Sequence, residues 1–329
     1  MLFLYNPLMN NFTKTPMPEI INILHEQLKT LAPKESLAFE VLNPDIATSV
    51  YAGNAVIIAG ELYIYHGYKS WVDLAQILSC RMLTPTQNAA HTIIIRYEKL
   101  NADESFHKSI IDKEEKYGVT SIFGEIHKNE EPAFIAHYLK ALKNVTINKR
   151  SRILNLGVNS GDEFEVIQKY ISNFENMELV GIDYCPSAIN AAKKKFAAFK
   201  NITFFAHDIN DLSSLELGSF DLIISIGTLQ SSNLDFNPLF MSIVQNFLKK
   251  DGAMVLGFPN CRWIDGEMVY GAKVKNYPFS EMSLLYKDVV FCKKYLQQKK
   301  FRVMVTGKDY IFLSATSIRK ESEFNSSKV

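Results

Sequence analysis

The decapeptide Ile153-Leu154-Asn155-Leu156-Gly157-Val158-Asn159-Ser160-Gly161-Asp162 joins an apolar run, a glycine turn and an acidic helix start. Glycine lets a backbone come close to a ligand, and the first N–H groups of a helix have no partner within it. Such a corner suits a nucleotide, although an ordinary strand-to-helix turn has the same pattern. Asp183 follows a second apolar run, Met177 to Ile182. A carboxylate at the tip of a second strand can accept hydrogen bonds from two ribose hydroxyls. The plain alternative is a solvated loop acid. Asp208 closes a third run, Asn201 to Ala206, beside His207. A helix cap is one use for that acid. His207 is placed to stack or to take a proton, with a neutral structural histidine as the favoured reading.

The elements that must position these residues alternate between strand and helix. Phe164, Ile167 and Ile171 share one face at helical spacing, as do Ala188, Ala191, Ala192 and Phe196. Phe220 to Ser225 is a fourth apolar run, and Lys249-Lys250-Asp251-Gly252 is predicted to turn into a fifth, Ala253 to Phe258. Phe240, Ile243, Val244, Phe247 and Leu248 form a helical stripe that must face a core. Phe301–Thr306 and Tyr310–Thr316 flank Gly307-Lys308-Asp309 and read as a hairpin.

Five of these pieces occur in an order that resembles the class I S-adenosylmethionine-dependent methyltransferases. They are Leu154–Gly161, Val180–Asp183, Ala206–Ile209, Phe220–Ile223 and Leu248–Gly252, and the resemblance covers about residues 150–316. It implies an α/β fold, a Rossmann-like seven-stranded sheet whose last two strands come from the closing hairpin, one of them antiparallel. It also implies S-adenosyl-L-methionine as cofactor. By the same resemblance Asn155, Gly157, Asn159 and Gly161 form the cofactor loop, Asp183 and Tyr184 meet the ribose, and Asp208 and Ile209 meet the adenine. Ser225 and Gly227 would lie near the methyl group. Asn155 stands where the family usually has an acid, and Asn159 where it often has the middle glycine; asparagine accepts positive φ better than most residues.

Methyl transfer from a sulfonium is an in-line displacement with an activated donor, so proximity and a dry site matter more than acid–base groups. The acceptor site is therefore harder to read. The insert Pro259–Met282 mixes aromatic residues with both charge signs, which suits an acceptor pocket or a lid. Trp263, Glu267 and Tyr270 are expected to line an acceptor cavity. Glu267, Tyr270 and His207 are the candidate catalytic residues, and Gln230, Arg262 and Trp263 the candidate acceptor contacts. Cys261 as a nucleophile is a minor reading, because no base accompanies it in sequence. No metal site is expected. The stretch Ser225–Ser232 lacks the Asn-Pro-Pro-Tyr or Asp-Pro-Pro-Tyr signature, whose resemblance would point to base or glutamine amines. A small-molecule acceptor, methylated at oxygen or nitrogen, is the leading reading. An RNA acceptor docked by the N-terminal domain and a non-catalytic binding protein are the alternatives. A nicotinamide dehydrogenase is weaker, since Gly157-x-Asn159-x-x-Asp162 lacks the full glycine fingerprint.

Net charge is +1 over 329 residues, so no global basic field draws the chain to nucleic acid. A local basic run, Lys287, Lys293, Lys294, Lys299, Lys300 and Arg302, reads first as a solvated helix face and second as a phosphate-tracking patch. Cys80, Cys185, Cys261 and Cys292 form no CxxC pair, so a reduced, cytoplasmic setting is expected. Met1–Tyr5 is too short for a signal peptide, and no apolar run approaches a membrane span. Residues 1–130 are expected to hold a smaller α+β domain and a linker, 131–318 the methyltransferase domain, and 319–329 a frayed tail. In the first part, Ile21, Leu24, Leu28 and Leu31 mark a helix, and Ala55–Ala59 and Leu62–Tyr65 a hairpin around Gly60-Glu61. Trp71, Leu74, Leu78 and Met82 mark a second helix, and Thr92–Tyr97 a strand. Tyr117–Gly124 is apolar and bounded by glycines, which suits either a lid or a packed connector. Pro132 opens a helix running to about Val145.

Overall fold

A computed structural model describes residues 9–105, 114–231, 233–272 and 282–319. The chain divides into two compact units: residues 1–105 with Trp263–Tyr270, and residues 106–262 with 271–329. The division after residue 105 falls within the 1–130 stretch read from the sequence as domain and linker, and the residues from Glu114 onward bond to the second unit, as described below.

In the first unit, β1 (Asn10–Asn11) precedes α1 (Met17–Thr30), then β2 (Ser36–Leu42). The hairpin β3 (Ala55–Ile58) and β4 (Glu61–Ile64) follows, then α2 (Tyr68–Ile77), β5 (Cys80–Ala89) and β6 (Thr92–Lys99). A four-stranded sheet runs β1-β2-β6-β5. The helices pack on it: Ile20, Leu24 and Leu28 of α1 and Trp71 and Leu74 of α2 share a core with Phe39, Val41, Ile95 and Tyr97. Lys99 Nζ donates to Leu28 O and Leu31 O at 2.8 and 2.6 Å, so a cation neutralises the carbonyl end of α1. Met82, expected on the second helix, lies in β5. The hairpin turn is Ala59-Gly60, one residue earlier than expected, with φ of 50° and 82°; both values are positive, as a type I′ turn requires.

In the second unit two short 3-10 turns, Ile122–Glu125 and Lys128–Glu130, precede α3 (Pro132–Asn144) and β7 (Arg152–Leu156), followed by α4 (Asp162–Tyr170) and β8 (Glu178–Asp183). Next come α5 (Pro186–Lys195), β9 (Ile202–Ala206), β10 (Phe220–Ile226), α6 (Phe236–Ser242) and β11 (Leu248–Pro259). The small hairpin β12 (Cys261–Ile264) and β13 (Glu267–Tyr270) precedes α7 (Ser283–Gln298), β14 (Phe301–Gly307) and β15 (Tyr310–Ser317). The seven-stranded sheet has the order β14-β15-β11-β10-β7-β8-β9. Its strands are parallel except β15, which runs antiparallel to β11 and to β14. This is the Rossmann-like methyltransferase sheet that the sequence implied. The expected turn at Lys249–Gly252 lies inside β11, where the pairing register with β10 shifts. The stripe on Phe240, Ile243, Val244 and Phe247 is buried, although α6 ends at Ser242 and a π-turn carries the last three. The tail beyond Arg319, Met1–Tyr5, and Lys273 and Tyr277 of the insert lie outside the described residues.

Strand order matters for the site because it places the ends of β7, β8 and β10 side by side, where the order of connection reverses. Asp221 of β10 ties the opposite end of β10 to β7 and β11. Its carboxylate accepts from Ser151 N and Oγ, Arg152 N and Lys249 Nζ. Burial works against the Asp221 charge, but the bonds from Lys249 and Ser151 outweigh it and hold its pKa below the ordinary value. A depressed carboxylate stabilises the fold above its unfolded pKa of about 3.9, and that contribution is lost as pH falls through the lower folded value. Asp221→Asn is therefore expected to lower the urea midpoint at pH 7. The gap to the parent protein should close below about pH 4; an equal gap at both pH values would contradict the assignment.

Candidate functional site

Leu156 ends β7 beside Ile182 of β8, and the chain then turns sharply. Gly157 has φ of 76°, and a Cβ there would sit 1.8 Å from Thr228 Oγ1. Both the conformation and the close approach demand glycine. Gly157 N and Val158 N donate to Ile182 O at 2.8 and 3.1 Å, which keeps the loop against the end of β8. Gly161, with φ of 90°, closes the loop as the residue before α4 and approaches the ring of Phe196. Asn159 takes φ of 45°, a left-handed conformation that asparagine tolerates.

Asn159 joins the two halves of the site. Its N–H donates to Asp183 Oδ2 at 2.8 Å, and Cys185 N donates to Asp183 Oδ1 at 2.9 Å. Both carboxylate oxygens are thus held by backbone N–H groups at the carboxyl end of β8, and the Tyr184 N–H is also turned to the carboxylate. An ionised carboxyl has about four acceptor positions, so it is not saturated by these donors. Burial raises the Asp183 pKa, against the pull of the Cys185 and Asn159 N–H groups and the charge of Lys128. Tyr184 is exposed, and its hydroxyl donates to Glu114 at 3.2 Å.

Asp208 uses Oδ1 to cap the turn that begins at buried Ile209, accepting from Asn210 N at 2.9 Å. His207 N donates to Asp183 O, and its ring Nε2 lies 2.8 Å from Asp211 O and 3.1 Å from Ser214 Oγ. The imidazole is therefore engaged within its own turn. Ser225 Oγ donates to Leu156 O, tying β10 to β7, and Gly227 N donates to Gly257 O. Gln230 Nε2 donates to Asp288.

Beneath the loop lies an ion pair, Glu163 with Lys128, that the sequence reading missed. Asn155 and Glu163 are both completely buried. Asn155 Nδ2 donates to Glu163 Oε2 at 3.2 Å, and Lys128 Nζ meets Glu163 Oε1 at 2.8 Å. Burial opposes the Lys128 charge, yet Glu163, Asp162 and Tyr310 together hold its pKa above the ordinary lysine value. Among the described residues Asn155 Oδ1 has no hydrogen-bond partner. A carboxylate thus does stand under the loop, carried on α4 instead of β7. The segment that brings Lys128 also reaches the loop from above. Asn159 Nδ2 donates to Tyr117 O at 2.7 Å, and Ser187 Oγ bonds Glu115 while accepting from Val119 N. Tyr117 packs edge-on against Phe123 at 5.0 Å. Tyr117–Gly124 accordingly lies on the glycine loop and on the first turn of α5.

Trp263–Tyr270 of the insert belongs to the first unit. There Arg81 on β5 donates to Glu267 Oε1 at 2.5 Å, to Glu98 at 2.9 Å and to Asp265 O at 2.6 Å. Asp265, almost without solvent contact, accepts from Asn101 N and pairs with Lys34. Glu267 is therefore half of an ion pair, and acting as a base would require giving up Arg81. Trp263 is half-buried and Tyr270 exposed, and Arg262, in the second unit, keeps a buried Nε without a partner among the described residues. Burial pushes the Cys261 thiol up to about 12, which disfavours the reactive thiolate.

Residues 147–308 match a family model described as a methyltransferase domain. Over 159 residues the chain is 24% identical to the carboxy-S-adenosyl-L-methionine synthase of Helicobacter pylori strain G27, an alignment covering 47% of this chain and 63% of that protein. The chain thus spans less than two thirds of the length of this relative. The N-methyltransferase NodS of Bradyrhizobium japonicum WM9, solved with S-adenosyl-L-homocysteine, superposes with a TM-score of 0.40 at 17% identity, covering 57% of this chain and 89% of that one. A precorrin-6y C5,15-methyltransferase of Geobacter metallireducens GS-15 gives 0.40 at 12% identity, covering 64% and 100%.

Removing one partner of a buried pair strands the other charge, which costs about 3–5 kcal/mol. Glu163→Ala is expected to lose that much stability in urea unfolding. The double change Glu163→Leu with Lys128→Met should lose less than either single change; losses that add would show that the two charges are not coupled.

Proposed function

Residues 147–308 belong to the class I S-adenosylmethionine-dependent methyltransferase family, and from that premise we propose that this protein methylates an oxygen or nitrogen of a small-molecule acceptor. The observation that carries the reading is the Asp183 carboxylate, pinned by Asn159 N and Cys185 N with acceptor capacity left over. The site fits S-adenosyl-L-methionine. Gly157 and Gly161 leave room where a Cβ would intrude, and the vicinal ribose hydroxyls match the acceptor capacity left on Asp183. Asn155 keeps a buried carbonyl oxygen that has no partner among the described residues.

Bound there, S-adenosyl-L-methionine supplies a sulfonium-activated methyl group that departs from sulfur as the acceptor atom attacks from the opposite side. The chain's own task is to bind, orient and keep water out. Asp183 would hold the ribose, and Asp208 with Ile209 the adenine face, Asp208 through the oxygen not used as a cap. Asn155, Asn159 and the loop glycines would border the methionine part. Ser225 and Gly227 at the end of β10 would border the reacting methyl. An acceptor that loses its proton to water after transfer needs no general base, which agrees with the engaged states of His207 and Glu267. Gln230 and Arg262, both in the second unit, are our candidates for acceptor contacts.

The two asparagines in the loop argue for a working site over a degraded one. Asn159 adopts the required positive φ and bonds Asp183, and Glu163 supplies a buried carboxylate beside Asn155. RNA is the second reading for the acceptor, favoured by exposed Lys287, Lys293, Lys294 and Lys300 on and just after α7. Retention of a tRNA pool at low salt, lost on changing Lys293 and Lys294 to Glu, would support it.

Calorimetry with S-adenosylmethionine and S-adenosylhomocysteine tests the central claim. Binding is expected at micromolar strength or better, and Asp183→Ala should weaken it by about 2–3 kcal/mol without unfolding the chain. No heat from folded protein at millimolar ligand would refute the cofactor; unchanged affinity in the variant would remove Asp183 from the ribose.

A further inference from the structure

Residues 114–124 cross the end of β8 at the point where Asp183 stands, and two anchor points define the crossing. On one side Asn159 Nδ2 donates to Tyr117 O at 2.7 Å. On the other, Ser187 Oγ donates to Glu115 Oε2 at 2.5 Å and accepts from Val119 N at 3.3 Å. Tyr184 Oη adds a bond to Glu114 at 3.2 Å. Asp183 lies between these anchors, since its backbone donors include Asn159 N and Cys185 N. Burial raises the pKa of the Tyr117 hydroxyl and the Asp183 charge raises it further, so the ring sits within the field of that carboxylate. A ligand that bonds Asp183 therefore lies under this strap.

The strap is fastened by polar bonds at its rim. Among the described residues, neither apolar core of the second unit takes a side chain from 114–131. Val119 and Ile122 are 47% and 44% exposed, and Tyr117 packs on Phe123 within the strap itself. A segment with few apolar contacts to the body of the fold opens at a small cost in free energy. Its far end is fixed, because Lys128 is committed to Glu163. Gly118 lets the fastening form: a Cβ there would sit 2.1 Å from Glu115 Oε2 and 2.7 Å from Ser187 Oγ.

The fastening uses different atoms from those assigned to the ligand. Tyr117 O meets the Asn159 side chain, whereas Asp183 meets the Asn159 N–H, and Ser187 bonds only the strap and its own turn. The same bonds can thus form with or without a nucleoside beneath them, so their loss should change a barrier more than an affinity. We propose that residues 114–124 form a strap that lifts to admit and release the cofactor, with Ser187 and Glu115 as its latch. The inference rests on the S-adenosylmethionine reading given above.

S-Adenosylhomocysteine serves as the probe, and Thr120→Trp, at an exposed strap position, supplies a stopped-flow fluorescence signal for its binding and release. In that background Ser187→Ala removes both bonds made by the hydroxyl. Association and dissociation rates are expected to rise together, each by about fivefold, the effect of losing one or two ordinary hydrogen bonds from the closed state. Kd should change by less than about twofold and Tm should not move. Glu115→Ala should act in the same direction. Without ligand, hydrogen exchange over residues 114–124 should quicken in Ser187→Ala while α4 and β7 keep the parent rate. A rise in the dissociation rate alone would show that Ser187 only steadies bound ligand, and would overturn the gate. Unchanged rates in both folded variants would overturn it too, as expected of a packed connector, while leaving the cofactor reading intact. If the parent protein binds no S-adenosylhomocysteine, the cofactor reading fails, and the strap guards nothing.

Discussion

Glu163 places a negative charge where no water reaches it, on the first turn of α4 and directly beneath the glycine loop. A helix start favours an anion, but burial on this scale requires a cation as well. Lys128 supplies it from a segment upstream of α3, and Asn155 adds an amide donor from β7. Three parts of the second unit are thus committed to one charge. The strand that starts the site, the helix that closes it and the segment that lies over it cannot shift independently.

The loop above that pair shows the same economy of groups. Asn159 uses its backbone N–H for Asp183 and its side chain for Tyr117 O, so one residue orients the carboxylate and anchors the overlying segment. Gly157 must be glycine because Thr228 occupies the space a Cβ would take, which brings the end of β10 against the end of β7. The result is a corner in which backbone donors, one carboxylate and one carbonyl oxygen converge at the carboxyl ends of three adjacent parallel strands. That geometry is suited to holding a nucleoside-bearing donor rigidly, which is the main requirement when the donor is already activated.

The first unit is closed by a comparable polar device. Arg81 spreads its guanidinium over Glu98, Glu267 and Asp265 O, using the planar fork that suits several acceptors at once. Asp265 and Gly266 both take positive φ, so the turn between β12 and β13 is tight and presents its carbonyl and carboxylates to Arg81 and Lys34. These bonds, more than the aromatic content of the insert, account for where residues 263–270 settle.

The sequence by itself determined the alternation of strands and helices from residue 150 onward, the closing hairpin and the positions of Gly157, Gly161 and Asp183. Those features rest on local causes: apolar periodicity, turn residues and the length of each run. In the first unit the same reading was poorer. β2 alternates over only Leu37, Phe39 and Val41, and β5, with its bulged pairing, carries few apolar residues, so both strands depend on neighbours for their conformation. The tertiary structure alone decided which charges meet. Lys128 and Glu163 lie 35 residues apart, and Arg81 and Glu267 lie 186 apart. Each of these residues reads in the sequence as one more surface charge. Only the packing that excludes water from Glu163, and that brings residues 263–270 back to β5, gives them their partners, because the strength of an ion pair is set by burial and geometry and neither is a local property of the chain.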